Sequence, residues 1–236
     1  MKILVINPNT SEDMTRDIGA SARASARPDT EIVFTNPLHG PACAEGALDE
    51  VMVSYNLVEV VRQAEAEGGY DAYVVACFGD PAVDALREIT DKPVVGVAEA
   101  AFHLATFLCG KFAIVSTLPR VRKNMEDRLR HHGVIDRVAT IRTPDLPVLA
   151  FHDDLENARR TLIEAAREAV EQDLAELIIL GCAGMSGFAD IVSKEIGVPV
   201  LDTVMCAVKV AESLVDLGLK TSKSNTYQTP TEKVYN

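Results

Sequence analysis

The chain has 236 residues, 47% of them hydrophobic and 25% charged, a globular composition long enough for one large domain or two small ones of about 100–120 residues each. With 23 Lys and Arg against 35 Asp and Glu, its net charge of −12 opposes counterion-release binding, so no nucleic-acid partner is expected. The five cysteines (Cys43, Cys77, Cys109, Cys182 and Cys206) are too few and too dispersed for a disulfide scaffold and contain no C-x-x-C pair, which predicts a reduced, cytoplasmic protein without a zinc ribbon or redox dithiol.

The first apolar run, Ile3 to Ile6, stops at Asn7 and Pro8. It is too short for a secretory segment or a membrane span and reads as the first strand, with no membrane partner. A helical pattern over about 11–25, the run EIVFTN, a second helix over about 46–67 and the strand AYVVAC follow. A structured helix, EAAFHLATFLCG, then crosses to a second series: KFAIVST, a helix over about 119–132, RVATIRT, a long helix over about 154–173 and ELIILGC. Alternation of this kind predicts an α/β fold with mainly parallel sheets, and the continuous apolar runs YVVA and LIIL suit strands covered on both faces. The last helix, about 203–217, leads into a polar tail whose Tyr227 and Tyr235 give it anchoring potential; the tail is expected either to be disordered or to dock on a neighbouring surface.

The two series match in detail. Lys2–Asn7 corresponds to Lys111–Ser116, and Ala72–Gly79 to Leu177–Gly184; Lys92-Pro93-Val94-Val95-Gly96 then corresponds to Val198-Pro199-Val200-Leu201-Asp202. This repeat predicts two similar Rossmann-like (flavodoxin-like) lobes related by a pseudo-twofold, with the active site in the cleft between them. One lobe is assigned residues 1–98 plus about 207–236, the other 99–206.

Several chemistries are excluded by what the turns lack. The first strand-to-helix turn, Asn7-Pro8-Asn9-Thr10-Ser11, has no glycines for a dinucleotide pyrophosphate, and there is no Walker loop. Gly184-Met185-Ser186-Gly187-Phe188 lacks hydrolase-elbow spacing. His131 and His132 read as surface residues, and His103 and His152 as isolated core or loop residues. No cofactor and no metal are therefore expected.

Cys77 and Cys182 remain, each at the C-terminal end of a strand, the edge at which open α/β sheets bind ligands. Asp80 is expected to cap the helix after Cys77, with Pro81 in its first position, and Ser186 the helix after Cys182. Helix starts aimed at each sulfur, contributing up to ~2 kcal/mol, would lower a thiol pKa from ~8.5 to roughly 7. Two facing thiols suit proton exchange on opposite faces of one carbon, while Cys43, Cys109 and Cys206 read as structural. Asn9, Thr10 and Ser11 from one lobe and Ser116, Thr117 and Leu118 from the other are expected to converge on the cleft, with Glu99 at its rim or on the surface.

VINPNTS (5–11), VVACFGDP (74–81), VGVAEAA (95–101), IVSTLPR (114–120), LGCAGM (180–185) and LGLKTSKSNTY (217–227) together resemble the Asp/Glu racemase superfamily, and within it the hydantoin and allantoin racemase branch. The resemblance covers nearly the whole chain. It implies cofactor-independent racemisation with Cys77 and Cys182 as the acid/base pair, acting at C5 of a 5-monosubstituted hydantoin, and a homo-oligomer. Amino-acid racemases of the superfamily commonly place Thr or Ser after each cysteine, whereas here Phe78-Gly79 and Ala183-Gly184 follow. Asn9, Phe78, Gly79, Ser116, Thr117, Leu118, Ala183, Gly184 and Met185 are thereby implied as substrate-binding. Phe78, Leu118, Phe151 and Met185 as apolar liners favour alkyl or aryl hydantoins. Allantoin is the nearest alternative, followed by an amino-acid racemase, a maleate-type isomerase or a silent small-molecule sensor.

Overall fold

The computed structural model describes residues 1–231, apart from the side chain of His152, so Tyr235 lies outside the described residues. Its elements run β1 (Lys2–Ile6), α1 (Glu12–Ser25), β2 (Glu31–Thr35), α2 (Ala47–Glu67), β3 (Ala72–Val75), α3 (Val83–Ile89), β4 (Val94–Gly96) and α4 (Val97–Leu108). The second series is β5 (Phe112–Val115), α5 (Arg122–His131), β6 (Val138–Arg142), α6 (Ala150–Asp153), α7 (Leu155–Glu171), β7 (Leu177–Leu180), α8 (Ala189–Ile196), β8 (Val200–Leu201) and α9 (Thr203–Asp216). The single-turn helix α6 has no counterpart among the expected elements. A short helical turn, Pro119–Val121, precedes α5.

Two four-stranded sheets form, ordered β2-β1-β3-β4 and β6-β5-β7-β8, and every pairing is parallel. The same strand order in both reproduces the repeat read from the sequence. In each sheet the two central strands are buried on both faces, which is why their sequences are continuous apolar runs.

The period-2 alternation of the strands divides the core. Ile3 and Val5 of β1, Val74 of β3, Phe112 and Ile114 of β5 and Leu177 and Ile179 of β7 belong to one buried cluster with α4 and α9. Leu4, Ile6, Tyr73 and Val75 face the other way, onto α2 and α3. Ala113, Val115, Ile178 and Leu180 face α7 and α8. One apolar layer therefore runs from the first sheet to the second, each fully buried Ile, Leu or Phe contributing about 1.5–3 kcal/mol. The two sheet edges are thereby set in a fixed relation.

Ser11 caps α1 by accepting the Met14 N–H at 3.3 Å, and Asp202 caps α9 by accepting those of Val204 and Met205 at 2.9 and 3.2 Å. Beyond α9, residues 220–227 lie against the first lobe, where the Thr221 N–H donates to the Asp91 carbonyl at 2.8 Å. Among the described residues no helix is long and apolar enough to cross a membrane.

Candidate active site

Each cysteine follows a central strand, Cys77 after β3 and Cys182 after β7, at the C-terminal edge of its sheet. The chain then makes the same turn twice. The Asp80 N–H donates to the Cys77 carbonyl at 2.9 Å, and the Met185 N–H to the Cys182 carbonyl at 3.0 Å. The turns aim the backbone N–H of Gly79 at the Cys77 sulfur and those of Gly184 and Met185 at the Cys182 sulfur. Glycine is needed at Gly181, where a Cβ would come within 2.8 Å of an Ile114 methyl and 2.9 Å of Ser116 Cβ. That close approach lets the Ser116 hydroxyl donate to the Gly181 carbonyl at 2.7 Å, joining the ends of β5 and β7.

The helix caps differ from expectation. Asp80 does not cap the helix that follows it: α3 starts at Val83, with Ala82 as its N-cap and Pro81 outside the helix. The Asp80 carboxylate instead accepts the N–H groups of Ala98 and Glu99 at 3.0 and 2.8 Å, capping α4. Its Cγ lies 2.3 Å from where a Cβ on Gly96 would be, so the missing side chain makes room for it. Ser186 caps nothing; its hydroxyl is buried without a partner, and α8 starts at Ala189. In its place Asp202, at the start of α9, accepts the Gly187 N–H at 2.8 Å and the Ser21 hydroxyl at 3.0 Å.

The expected lowering of the thiol pKa values is overturned. Burial pushes Cys77 up to about 12 and Cys182 up to about 11, against the opposing pull of the Gly79 and Gly184 N–H groups. For Cys77 the nearby Cys182, Asp80 and Glu50 add to the rise, and for Cys182 Cys43 and Glu45 do. Neither α3 nor α8 begins at its cysteine, so the helix-start field is weaker than the contiguous motif implied, and desolvation of the thiolate wins.

Both sulfurs line one cavity of about 310 Å³ between the lobes. Asn9, Phe78, Gly79, Thr117, Ala183 and Gly184 line it too, as does Ser116, although its hydroxyl is already engaged. Two polar side chains are poised to receive a ligand. The Asn9 amide oxygen accepts from Asn7 Nδ2 at 2.8 Å and the Ser11 N–H at 2.9 Å, while its nitrogen has only the Met14 sulfur, at 3.3 Å, as a weak acceptor. The buried Thr117 side chain faces the cavity with no protein hydrogen bond of its own.

Other expected residues lie elsewhere. Met185 is fully buried in the core behind the second sheet, Leu118 is outside the cavity lining, and Phe151 borders an adjoining hollow with Glu12, Asp17 and Asp153. Thr10 is tied to the Pro41 carbonyl at 3.3 Å. Glu99 is paired with Arg87 away from the cavity. His131 and His103 are exposed and His132 is half-buried edge-on to Phe102. Cys206 is buried in the shared core, Cys109 ends α4 with its thiol on the Ala105 carbonyl, and Cys43 sits in the loop before α2. Among the described residues no three His, Cys, Asp or Glu gather in a way that would hold a metal ion.

One wall of the cavity has little local signature in the sequence. Met14, Val53, Val121, Met125 and Val148 supply its apolar surface, and Glu50, Arg120, Lys123 and Asn124 its polar rim. Contacts across the cleft bind this wall together: Asn124 Nδ2 donates to Glu50 at 2.6 Å, Arg128 pairs with Glu50 at 3.2 Å, and the Val148 N–H donates to Glu45 at 3.0 Å. The one local signal was Gly46, where a Cβ would lie 2.5 Å from the Arg120 guanidinium.

Residues 3–211 match the sequence profile of the Asp/Glu/Hydantoin racemase family. The chain is 53% identical over 235 residues to a hydantoin racemase of Paenarthrobacter aurescens, covering 100% of both chains. It is 48% identical to a hydantoin racemase of Pseudomonas sp. (strain NS671), covering 100% of this chain and 94% of that one. A solved allantoin racemase from Klebsiella pneumoniae superposes with a TM-score of 0.97 at 42% identity, covering 100% of this chain and 96% of that one.

Proposed function

The chain belongs to the Asp/Glu/hydantoin racemase family, and on that premise we propose that it racemises 5-monosubstituted hydantoins without a cofactor, by proton transfer between C5 of the ring and the Cys77 and Cys182 sulfurs. The observation that carries this reading is two cysteines in equivalent turns of two lobes, lining one cavity, each sulfur with a backbone N–H aimed at it. In this reading residues 1–98 with the C-terminal helix and tail supply the Cys77 side, and residues 99–206 the Cys182 side.

One cysteine, as thiolate, removes the C5 proton and becomes a thiol. The electron pair left on carbon delocalises onto the C4 carbonyl as an enolate. The opposite thiol then gives its proton to the other face of C5 and becomes the thiolate. Asn9 Nδ2, the Thr117 hydroxyl and the backbone amides of the turns are the donors for the ring carbonyls; loss of one such donor at an oxyanion site costs about 2.7–4 kcal/mol. Burial raises the thiol pKa values and so makes each thiolate a stronger base, at the expense of its population. Because two sulfurs share a single proton deficit, their titrations are coupled.

Met14, Val53, Phe78, Val121 and Met125 offer an apolar seat for an alkyl or aryl C5 substituent. A second reading, allantoin as substrate, is favoured by the exposed Arg120 at the rim, a donor suited to a ureido carbonyl, and by the Klebsiella pneumoniae likeness. Each enantiomer of 5-benzylhydantoin, 5-isopropylhydantoin and allantoin, incubated with the protein in D2O, tests both readings. Proton NMR is expected to show enzyme-dependent loss of the C5–H signal, with optical rotation decaying to zero, fastest for the alkyl or aryl compounds. Allantoin reacting fastest would favour the second reading, and no exchange with any of them would overturn both.

A further inference from the structure

Among the described residues, none of the tail beyond α9 lines the cavity, yet the tail makes a dense set of contacts on α3 and the loop that follows it. The Thr221 N–H donates to the Asp91 carbonyl and its hydroxyl to the Lys92 carbonyl, both at 2.8 Å, and Lys220 pairs with Asp91 at 2.6 Å. Lys223 Nζ donates to the carbonyls of Arg87 and Glu88 at 2.6 and 3.0 Å, a cation placed on the last turn of α3 where the helix dipole favours one. The Tyr227 hydroxyl donates to Asp84 at 2.8 Å in the first turn of α3, and the Arg87 guanidinium lies 5.8 Å from the centre of the Tyr227 ring. Residues 220–227 thus brace α3 from its last turn to its first.

That helix is the one following Cys77, and it has only seven residues, too few to be stable by itself. The loop between them carries two non-glycine residues at positive φ, Asp80 at 43° and Ala82 at 58°. Such a conformation persists only when its surroundings over-determine it. A chain of contacts joins brace and loop. Arg87 pairs with Glu99 and donates to the Val94 carbonyl at 2.9 Å; the Glu99 carboxylate accepts the Gly96 N–H at 3.0 Å, and the Glu99 N–H donates to Asp80. Asp80 closes the turn on the Cys77 carbonyl. The described residues contain no such brace on α8, the helix after Cys182, whose loop takes its positive φ at Gly187.

We propose that residues 220–227 are a strap that positions the Cys77 side of the cleft and not the Cys182 side, with Tyr227 and Arg87 as positioning residues. The catalytic consequence rests on the two-cysteine reading; the mechanical one does not. Residue-specific alkylation separates them. Wild-type protein, Tyr227→Ala and Tyr227→Phe are treated with iodoacetamide at pH 9, and the modification rates of the Cys77 and Cys182 peptides are followed by mass spectrometry. Racemisation of 5-benzylhydantoin is measured in parallel.

Tyr227→Ala is expected to speed alkylation of Cys77 at least threefold and leave Cys182 within twofold, while kcat falls about tenfold with KM little changed. Tyr227→Phe, which retains the ring under Arg87, stays within twofold of wild type on both measures. An equal change at both cysteines, or none at Cys77, overturns the strap. Wild-type protein that alkylates as expected but racemises no hydantoin overturns the functional reading and leaves the strap judged on the alkylation rates.

Discussion

The two cysteine loops make the same turn but recruit their carboxylates from different places. In the first lobe Asp80 leaves the cysteine loop to cap α4, whose N-cap position is Gly96. In the second, the residue matching Gly96 is Asp202, which caps α9 itself and reaches back to the Gly187 N–H, while the residue matching Asp80 is the buried Met185. Both lobes therefore place a carboxylate between the cysteine loop and the next helix start, and both satisfy N–H groups that would otherwise be orphaned. What repeats is the location of the charge, not the chain position that supplies it. The cost differs between the lobes: burial and the neighbouring Glu99 push the Asp80 carboxyl up to about 7, and its backbone sits at positive φ.

If the loops are equivalent in chemistry, Cys77→Ser and Cys182→Ser will each lower racemisation by at least about 10²–10⁴-fold. Each variant will still exchange the C5 proton of one enantiomer in D2O, the opposite enantiomer in the two cases. Both variants exchanging the same enantiomer would break the pairing of one thiol with one face.

The raised thiol pKa values set the next largest effect. Because the base is the thiolate and both thiols titrate well above neutrality, kcat/KM is expected to rise by about tenfold per pH unit between pH 7 and 9. A plateau across that range, measured with a substrate whose own titration is known, would contradict the dominance of burial.

The difference between the carboxylates is open to a stability measurement. An Asp80 pKa raised from about 4 to about 7 means that the folded state holds a proton the unfolded chain has released. Stability from this group is therefore complete below about pH 4 and is lost as pH rises through 7, at up to about 1.4 kcal/mol per unit. Asp80→Asn is expected to flatten the fall in Tm between pH 5 and 8, whereas an unchanged slope would place the titration elsewhere.

The smallest effects concern the backbone. Gly187→Ala, at φ 88° with open space around it, should cost about 1–2 kcal/mol through strain alone. Ala82→Gly should do the reverse and add up to about 1 kcal/mol, because the left-handed strain it relieves exceeds the about 0.4–1 kcal/mol by which glycine's freedom favours the unfolded chain. Denaturant midpoints of the two variants moving in the same direction would remove the contrast.

Much of this was legible in the residues. The strands were readable because each is a short apolar run bounded by turn residues, and the repeat was readable because both lobes impose the same order of runs. Cys77 and Cys182 stood out because strand, cysteine and glycine are contiguous. Thr117 and Asn9 were legible for the same reason, lying in strand-to-helix turns that must open on the sheet edge. The helix caps were misread where the capping group comes from another element, since local spacing carries no record of which helix start Asp80 will meet.

The order of the elements, the two parallel sheets and the cysteine turns are thus determined by sequence alone, because period, turn chemistry and chain contiguity are local properties. Tertiary structure decided what surrounds the sulfurs. Met14, Val53, Val121, Met125 and Val148 come from both lobes, and an apolar residue on a helix looks the same in sequence whether it faces a core or a cavity. Burial by that wall, summed over residues distant in the chain, outweighs the few N–H dipoles of the local turn, and it raises the thiol pKa values that the turn by itself would lower.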